Sequence, residues 1–207
     1  MFCNFPKVGD DCLVMKTLTI FNVIVIPLRR NLLHLYVSKL YKHLTRLLFY
    51  IAIFVIKLLK DMENYLVEIF ERDLLKLKTE LIAFNNEDNI WRKTNGISNS
   101  AGTLVLHLLG NLNYTIGALL GGSGYVRNRE QEFSLTDVPR EKLIADIEST
   151  IGAVKNGLQN VDQSKLEETY PLEIVGQKST VYYLTFFYGH FNYHLGQINY
   201  LRRILEA

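Results

Sequence analysis

The chain has 207 residues, of which 48% are hydrophobic, and a formal net charge of +2. A chain of this length buries a sizeable core in one or two domains. It has only two cysteines, Cys3 and Cys12. The rest of the chain therefore has no disulfide framework and no thiolate of its own to bind a metal or attack a substrate, and this cysteine usage predicts a cytoplasmic protein.

Residues 1–61 differ in charge from residues 62–207. They carry nine Lys or Arg and three Asp or Glu, a balance of +6, whereas the other 14 basic and 18 acidic residues give residues 62–207 a balance of −4. This acidic part has no stripe of basic residues interleaved with aromatic ones. The sequence therefore argues against a nucleic-acid partner.

Two apolar runs, residues 17–28 and 47–59, stand out before Met62. Both are shorter than the roughly 20 apolar residues of a spanning helix, and no signal-peptide pattern is visible. The segment between them is basic and amphipathic, which suits an anionic membrane surface. Three interpretations stay open for residues 1–61: a functionless extension upstream of a true start at Met62, a membrane-associating segment, or a packed addition. Membrane association is expected only if this segment is part of the native protein.

Residues 62–207 show the periodicity of four helices, at about 62–84, 98–120, 139–158 and 179–205. Ser98 or Ser100 is the candidate N-cap of the second helix, and Pro139 suits the start of the third. The apolar stripe of the first helix consists of Leu66, Ile69, Phe70, Leu74, Leu77, Leu81 and Phe84. The sequence predicts an all-α fold, an up-and-down four-helix bundle.

Three histidines follow Met62: His107 in the second predicted helix, and His190 and His194 in the fourth. Side chains four apart on a helix project from one face, about 5–6 Å from each other. Such a pair, joined by a histidine from a facing helix, forms a three-histidine site that leaves a coordination position open, as in catalytic zinc sites. The alternative is that all three are core histidines that hydrogen-bond within the bundle.

The stretches "TLVLHLLGNLNY" and "GHFNYHLGQINYLRR" resemble the DinB/YfiT-like superfamily of four-helix bundles. Within it, "HLLGNL", "RNREQEF" and Trp91 resemble an uncharacterised branch of small bacterial proteins. The resemblance covers roughly residues 62–207. It implies one divalent metal ion, zinc or nickel, bound by His107, His190 and His194.

Characterised members of that superfamily are S-transferases and isomerases that use low-molecular-weight thiols such as bacillithiol or mycothiol. The resemblance therefore implies a thiol-dependent S-transferase or a metal-dependent hydrolase, with a small-molecule thiol or electrophile as partner. Because no cysteine follows Met62, the nucleophile would come from the thiol cofactor or from water. The alternative is a non-enzymatic, metal-binding stress-response protein, and either protein is compatible with a homodimer.

Four further residues are candidates for the site. Gln197 and Asn111 lie near the histidines on their helices and either orient a ligand or satisfy buried polar atoms of the bundle. Arg127 and Arg129, in the loop after the second helix, either hold a carboxylate-bearing thiol cofactor or belong to a solvated loop in which they pair with Glu130 and Glu132.

Overall fold

A computed structural model describes the backbone of residues 33–207 and the side chains of residues 39–55, 64–162 and 164–207. The chain divides into two compact units, Met1–Phe54 and Val55–Ala207. Cys3, Cys12 and the apolar run at residues 17–28 lie outside the described residues.

The described residues form helices joined by loops, and the predicted all-α fold is confirmed. No named strand occurs in residues 33–207, where Thr169 and Ser179 form an isolated β-bridge. The first helix begins at Leu33, well before the predicted start at Met62. The helices are α1 (Leu33–Ile82), α2 (Asp88–Trp91), α3 (Ala101–Leu112), which continues as a π-helical segment (Asn113–Ala118), α4 (Arg129–Ser134), α5 (Arg140–Gln159), α6 (Gln163–Glu167) and α7 (Thr180–Leu205).

In the first unit, the side chains of residues 39–54 are exposed, including large apolar ones such as Leu44, Leu48 and Phe54. Of the helices that the structure describes, none combines the length and the apolar character needed to cross a membrane.

In the second unit, α1, α3, α5 and α7 enclose one core. The predicted stripe of α1 faces it, since Phe70, Leu74, Leu77 and Leu81 have no exposed side-chain surface. Helix α3 is buried almost all round, as its composition predicts. The hydroxyl of Ser100 accepts a hydrogen bond of 3.1 Å from the backbone N–H of Thr103, which fixes the start of α3.

Helices α1 and α7 run in the same direction. The hydroxyl of Tyr188 donates to the carboxylate of Asp73 at 2.8 Å. Further along both helices, Arg202 donates to Glu80 at 2.8 Å. Residue numbers therefore rise together along the two helices, as they do only in a parallel pair.

Helices α3 and α5 are also parallel to each other. Asn113 donates to the hydroxyl of Thr150 at 2.8 Å, and the next turn places Gly117 against Ala153. Helix α1 runs opposite to α5, because the later residue of α1 meets the earlier residue of α5 in two ion pairs, Lys78–Glu148 and Glu71–Lys155.

Taken in chain order, the four helices run up, down, down and up. The four-helix bundle is present, but the simple alternation that we predicted is wrong. The physical reason is the long connection at residues 119–139. It returns along α3, so that α5 begins at the same end of the bundle as α3. The indole of Trp91 donates to the carbonyl of Val138 there, and the backbone N–H of Arg140 donates to Glu87. Long crossovers of this kind allow neighbouring helices to be parallel.

Gly157 allows the close approach of α5 to the α3 segment. A Cβ at Gly157 would overlap the backbone carbonyl oxygen of Ile116, whereas a Cβ at Gly152 meets nothing within 4 Å. We expect Gly157→Ala to lower the free energy of unfolding by about 2–3 kcal/mol, because backbone must move. Gly152→Ala on the same helix should raise it by about 0.5–1 kcal/mol. Urea unfolding of both variants measures the difference, and equal effects would contradict the close approach.

Candidate metal centre

The three histidines predicted as ligands lie together between α3 and α7. His107 projects from the middle of α3, and His190 and His194 project from one face of α7. Each offers a ring nitrogen, and these three atoms lie within 4.8 Å of one another. His107 is buried, while the other two are half-buried. The two separate sequence stretches therefore meet as the spacing predicts.

The spacing of the ring nitrogens fits a shared cation. The Nε2 atoms of His107 and His190 are 3.0 Å apart. Two nitrogens bound to one zinc ion at about 2.0–2.1 Å lie roughly 2.9 Å apart at a right angle and about 3.3 Å apart at the tetrahedral angle. The donor set, three imidazoles without a carboxylate or thiolate, suits divalent transition metals such as zinc, copper, iron and nickel. The three histidines can therefore hold a divalent metal ion.

Glu132, on α4, contacts the ring nitrogen of His107 that does not face His190. Its Oε2 atom is 2.9 Å from Nδ1 of His107, and its side chain is only 5% exposed. A carboxylate only accepts hydrogen bonds, so Nδ1 carries a proton, and Nε2 is the ring nitrogen that faces His190. This is the carboxylate–histidine arrangement that orients metal ligands in proteins.

Arg127 in turn binds Glu132 with two parallel hydrogen bonds. Nε donates to Oε1 at 2.6 Å and Nη2 donates to Oε2 at 2.8 Å. Burial by itself raises the pKa of Glu132, but the hydrogen bonds from Arg127 and His107 outweigh it and the pKa lies below its usual range. Glu132 is therefore ionised at neutral pH. The sequence alternative for Arg127, pairing with Glu132, is what the structure shows, although the pair is buried and not solvated.

Gly110 provides the space that Glu132 occupies. It lies one turn after His107 on α3, and a Cβ there would overlap the Glu132 carboxylate. A side chain at this position would therefore push the carboxylate away from His107.

Gln197 contacts the centre on the other side. Its Oε1 atom is 2.6 Å from Nδ1 of His194, so this histidine also presents Nε2 to its neighbours. Burial, followed by the nearby His194 and His107, lowers the pKa of His190 to about 4. Burial also lowers the pKa of His194. Both imidazoles are neutral at pH 7, the form that binds metal.

Asn111 lies in the buried part of α3, and its backbone carbonyl accepts a hydrogen bond from Thr115 at 2.8 Å. Among the hydrogen bonds of the described residues, none joins its side chain to a histidine. Gln197 is therefore the member of the predicted outer pair that touches the centre.

Arg129 stands apart from Arg127. Its guanidinium lies over the ring of Phe133, 5.5 Å from the centroid, and Phe133 in turn packs against His107 with 5.0 Å between ring centroids. The side chain is exposed. Arg127 and Arg129, for which the sequence predicts the same roles, therefore have different environments.

Two clefts reach residues that hold the histidines. One, of about 290 Å³, lies between α7 and the start of α3, and Gln197 belongs to its wall together with Ser98, Asn99 and Tyr200. The other, of about 420 Å³, includes Glu132, Tyr125 and Gln131. The first is close to the lower limit of small-molecule pockets. Each cleft therefore includes one residue that hydrogen-bonds a histidine of the centre, Gln197 in the first and Glu132 in the second.

Sequence reasoning named Glu132 only as a partner of the loop arginines, and it missed Phe133. Both belong to "RNREQEF", which carries part of the resemblance, but no pattern in the sequence places them beside His107. A glutamate 25 residues after a histidine has no fixed geometry towards it until the intervening loop is folded.

Comparison with known proteins gives one family. No curated protein matches the chain significantly. A family described as "Protein of unknown function (DUF1572)" matches residues 52–207, which include the whole bundle and all three histidines. The chain belongs to the DUF1572 family.

Proposed function

We propose that this protein is a DinB/YfiT-like metal-binding protein that transfers a low-molecular-weight thiol to an electrophile. The observation that carries the proposal is the convergence of His107, His190 and His194, with two Nε2 atoms 3.0 Å apart. A divalent cation held there would lower the pKa of a thiol or water bound to it and so supply a nucleophile near neutral pH.

The residues of the chain have separate roles in this proposal. His107, His190 and His194 bind the cation, and Glu132 and Gln197 hold His107 and His194 in the tautomer that presents Nε2. Three protein ligands leave a position for a small molecule. In the transfer, the thiol sulfur bonds to the electrophilic carbon, the leaving group departs with the bonding electrons, and the thiol proton passes to solvent.

The polar clefts support an enzyme over a binding protein without turnover. A metal site that serves only structure is closed by protein ligands on all sides. Here His190 and His194 are half-buried, and Gln197, which contacts His194, belongs to the wall of a cleft of about 290 Å³. Hydrolysis by activated water uses the same residues and is the second reaction to assay.

Metal removal tests the proposal. The full chain is stripped with a chelator, then reloaded with Zn²⁺ or Ni²⁺, and conjugation of thiols such as cysteine to monochlorobimane is followed by fluorescence. We expect turnover above the uncatalysed rate only in the reloaded protein, and none in His194→Ala treated in the same way. Metal binding without turnover of any thiol or ester would favour the non-enzymatic alternative.

A further inference from the structure

Arg129 is a cation without a protein anion beside the candidate metal centre. Among the ion pairs of the residues that the structure describes, none includes Arg129. Arg127, two residues earlier, donates from Nε and Nη2 to Glu132. Of these two arginines, Arg129 is therefore the one whose guanidinium has no carboxylate partner among the described residues.

Phe133 places this cation next to the histidines. The guanidinium of Arg129 lies over the Phe133 ring, and the same ring packs against His107, so Phe133 contacts both groups. A guanidinium on an aromatic face gains attraction while its N–H groups remain free for hydrogen bonds at the edge.

The charges around the centre do not balance without an added anion. The carboxylate of Glu132 is paired with the guanidinium of Arg127. Arg129, and any divalent cation held by the histidines, are left as uncompensated positive charges. A ligand with a negative group beyond its coordinating atom would compensate them, and arginine suits carboxylates because of its planar set of donors.

We propose that Arg129 recognises a carboxylate on the small molecule that occupies the centre, and so selects anionic over neutral thiols. This inference depends on the proposed function, since it assigns the chemistry of the thiol that the centre takes. Arg129 acts on the ligand directly, whereas Arg127 acts only by positioning Glu132.

A pair of thiols that differ in charge tests the inference. The full chain is loaded with Co²⁺, whose thiolate charge-transfer absorption reports binding, and is titrated at low ionic strength with mercaptoacetate and with 2-mercaptoethanol. We expect Arg129→Gln to weaken mercaptoacetate binding about fivefold, the effect of one exposed charge pair of about 1 kcal/mol. Binding of 2-mercaptoethanol should change less than about twofold, and added salt should reduce the difference.

Arg203→Gln is the matched control. Arg203 is also an exposed arginine over an aromatic ring, 5.9 Å from the centroid of Tyr200, but it lies near the end of α7. It should affect neither thiol. Equal losses for both thiols in Arg129→Gln, no loss for either, or the same loss in Arg203→Gln would overturn the inference and leave the proposed function standing. Absence of a thiolate band with both thiols in the Co²⁺-loaded parent protein would overturn the proposed function as well.

Discussion

Replacing His190 by alanine is expected to lower the affinity of the protein for Zn²⁺ or Ni²⁺ by more than about 100-fold. Changes to groups that only support a metal ligand typically cost 10- to 100-fold, and loss of one of three ligands exceeds that. The Nε2 atom of His190 lies 3.0 Å from the Nε2 atom of His107. The His190→Ala variant therefore lacks one of the three ligand nitrogens. Competition with a chromophoric chelator measures the affinity, and elemental mass spectrometry gives metal per chain.

His43→Ala is the control for histidine loss in general. His43 is an exposed residue of α1 and lies outside the three-histidine cluster. Its removal should leave metal affinity unchanged. The interpretation of the cluster as a metal centre would be wrong if parent, His190→Ala and His43→Ala all bound the same amount of metal.

Glu132→Ala is expected to lower both the affinity for metal and the free energy of unfolding. The variant leaves the guanidinium of Arg127 and the Nδ1–H of His107 without their acceptor in a buried environment. Removing one partner of a buried ion pair costs about 3–5 kcal/mol of unfolding free energy. Loss of the group that orients a histidine ligand lowers metal affinity about 10- to 100-fold. Urea unfolding of the metal-free protein and chelator competition measure the two effects separately.

Two further variants test the charge of Glu132 and the loss of a glutamate elsewhere on α4. Glu132→Gln keeps an oxygen that accepts from His107 but removes the negative charge, so both losses should be smaller than in Glu132→Ala. Glu130→Ala removes an exposed glutamate from the same helix, α4, and should change neither quantity beyond about 0.5 kcal/mol. If Glu132→Ala were as mild as Glu130→Ala, the carboxylate would not support His107.

The sequence was informative where a property repeats along one helix. The apolar stripe of α1 with Phe70 and Leu74 faces the core as predicted, because helical periodicity alone decides which residues share a face. The same rule brings His190 and His194 together, since residues four apart are neighbours on any α-helix. The length of α1 was not predicted, because the apolar residues before Met62 show no steady helical period.

Helix direction was predicted wrongly because periodicity carries no information about connections. The stripe of α5 is compatible with either direction relative to α3. The connection at residues 119–139 decides between them, since it returns along α3 before Arg140 meets Glu87. The same connection delivers Glu132 to His107 and leaves Arg129 outside on Phe133.

The amino-acid sequence by itself determined the all-α fold, the buried faces of the helices and three histidines on two of them. Those properties depend on local periodicity and on the chemistry of single side chains. Only the tertiary structure decided that Glu132 supports His107, that Arg127 is engaged and that Arg129 is available. The contact of Glu132 with His107 joins residues 25 apart in the chain. Its geometry, and the positions of Arg127 and Arg129, depend on the path of a loop whose residues have no repeating pattern.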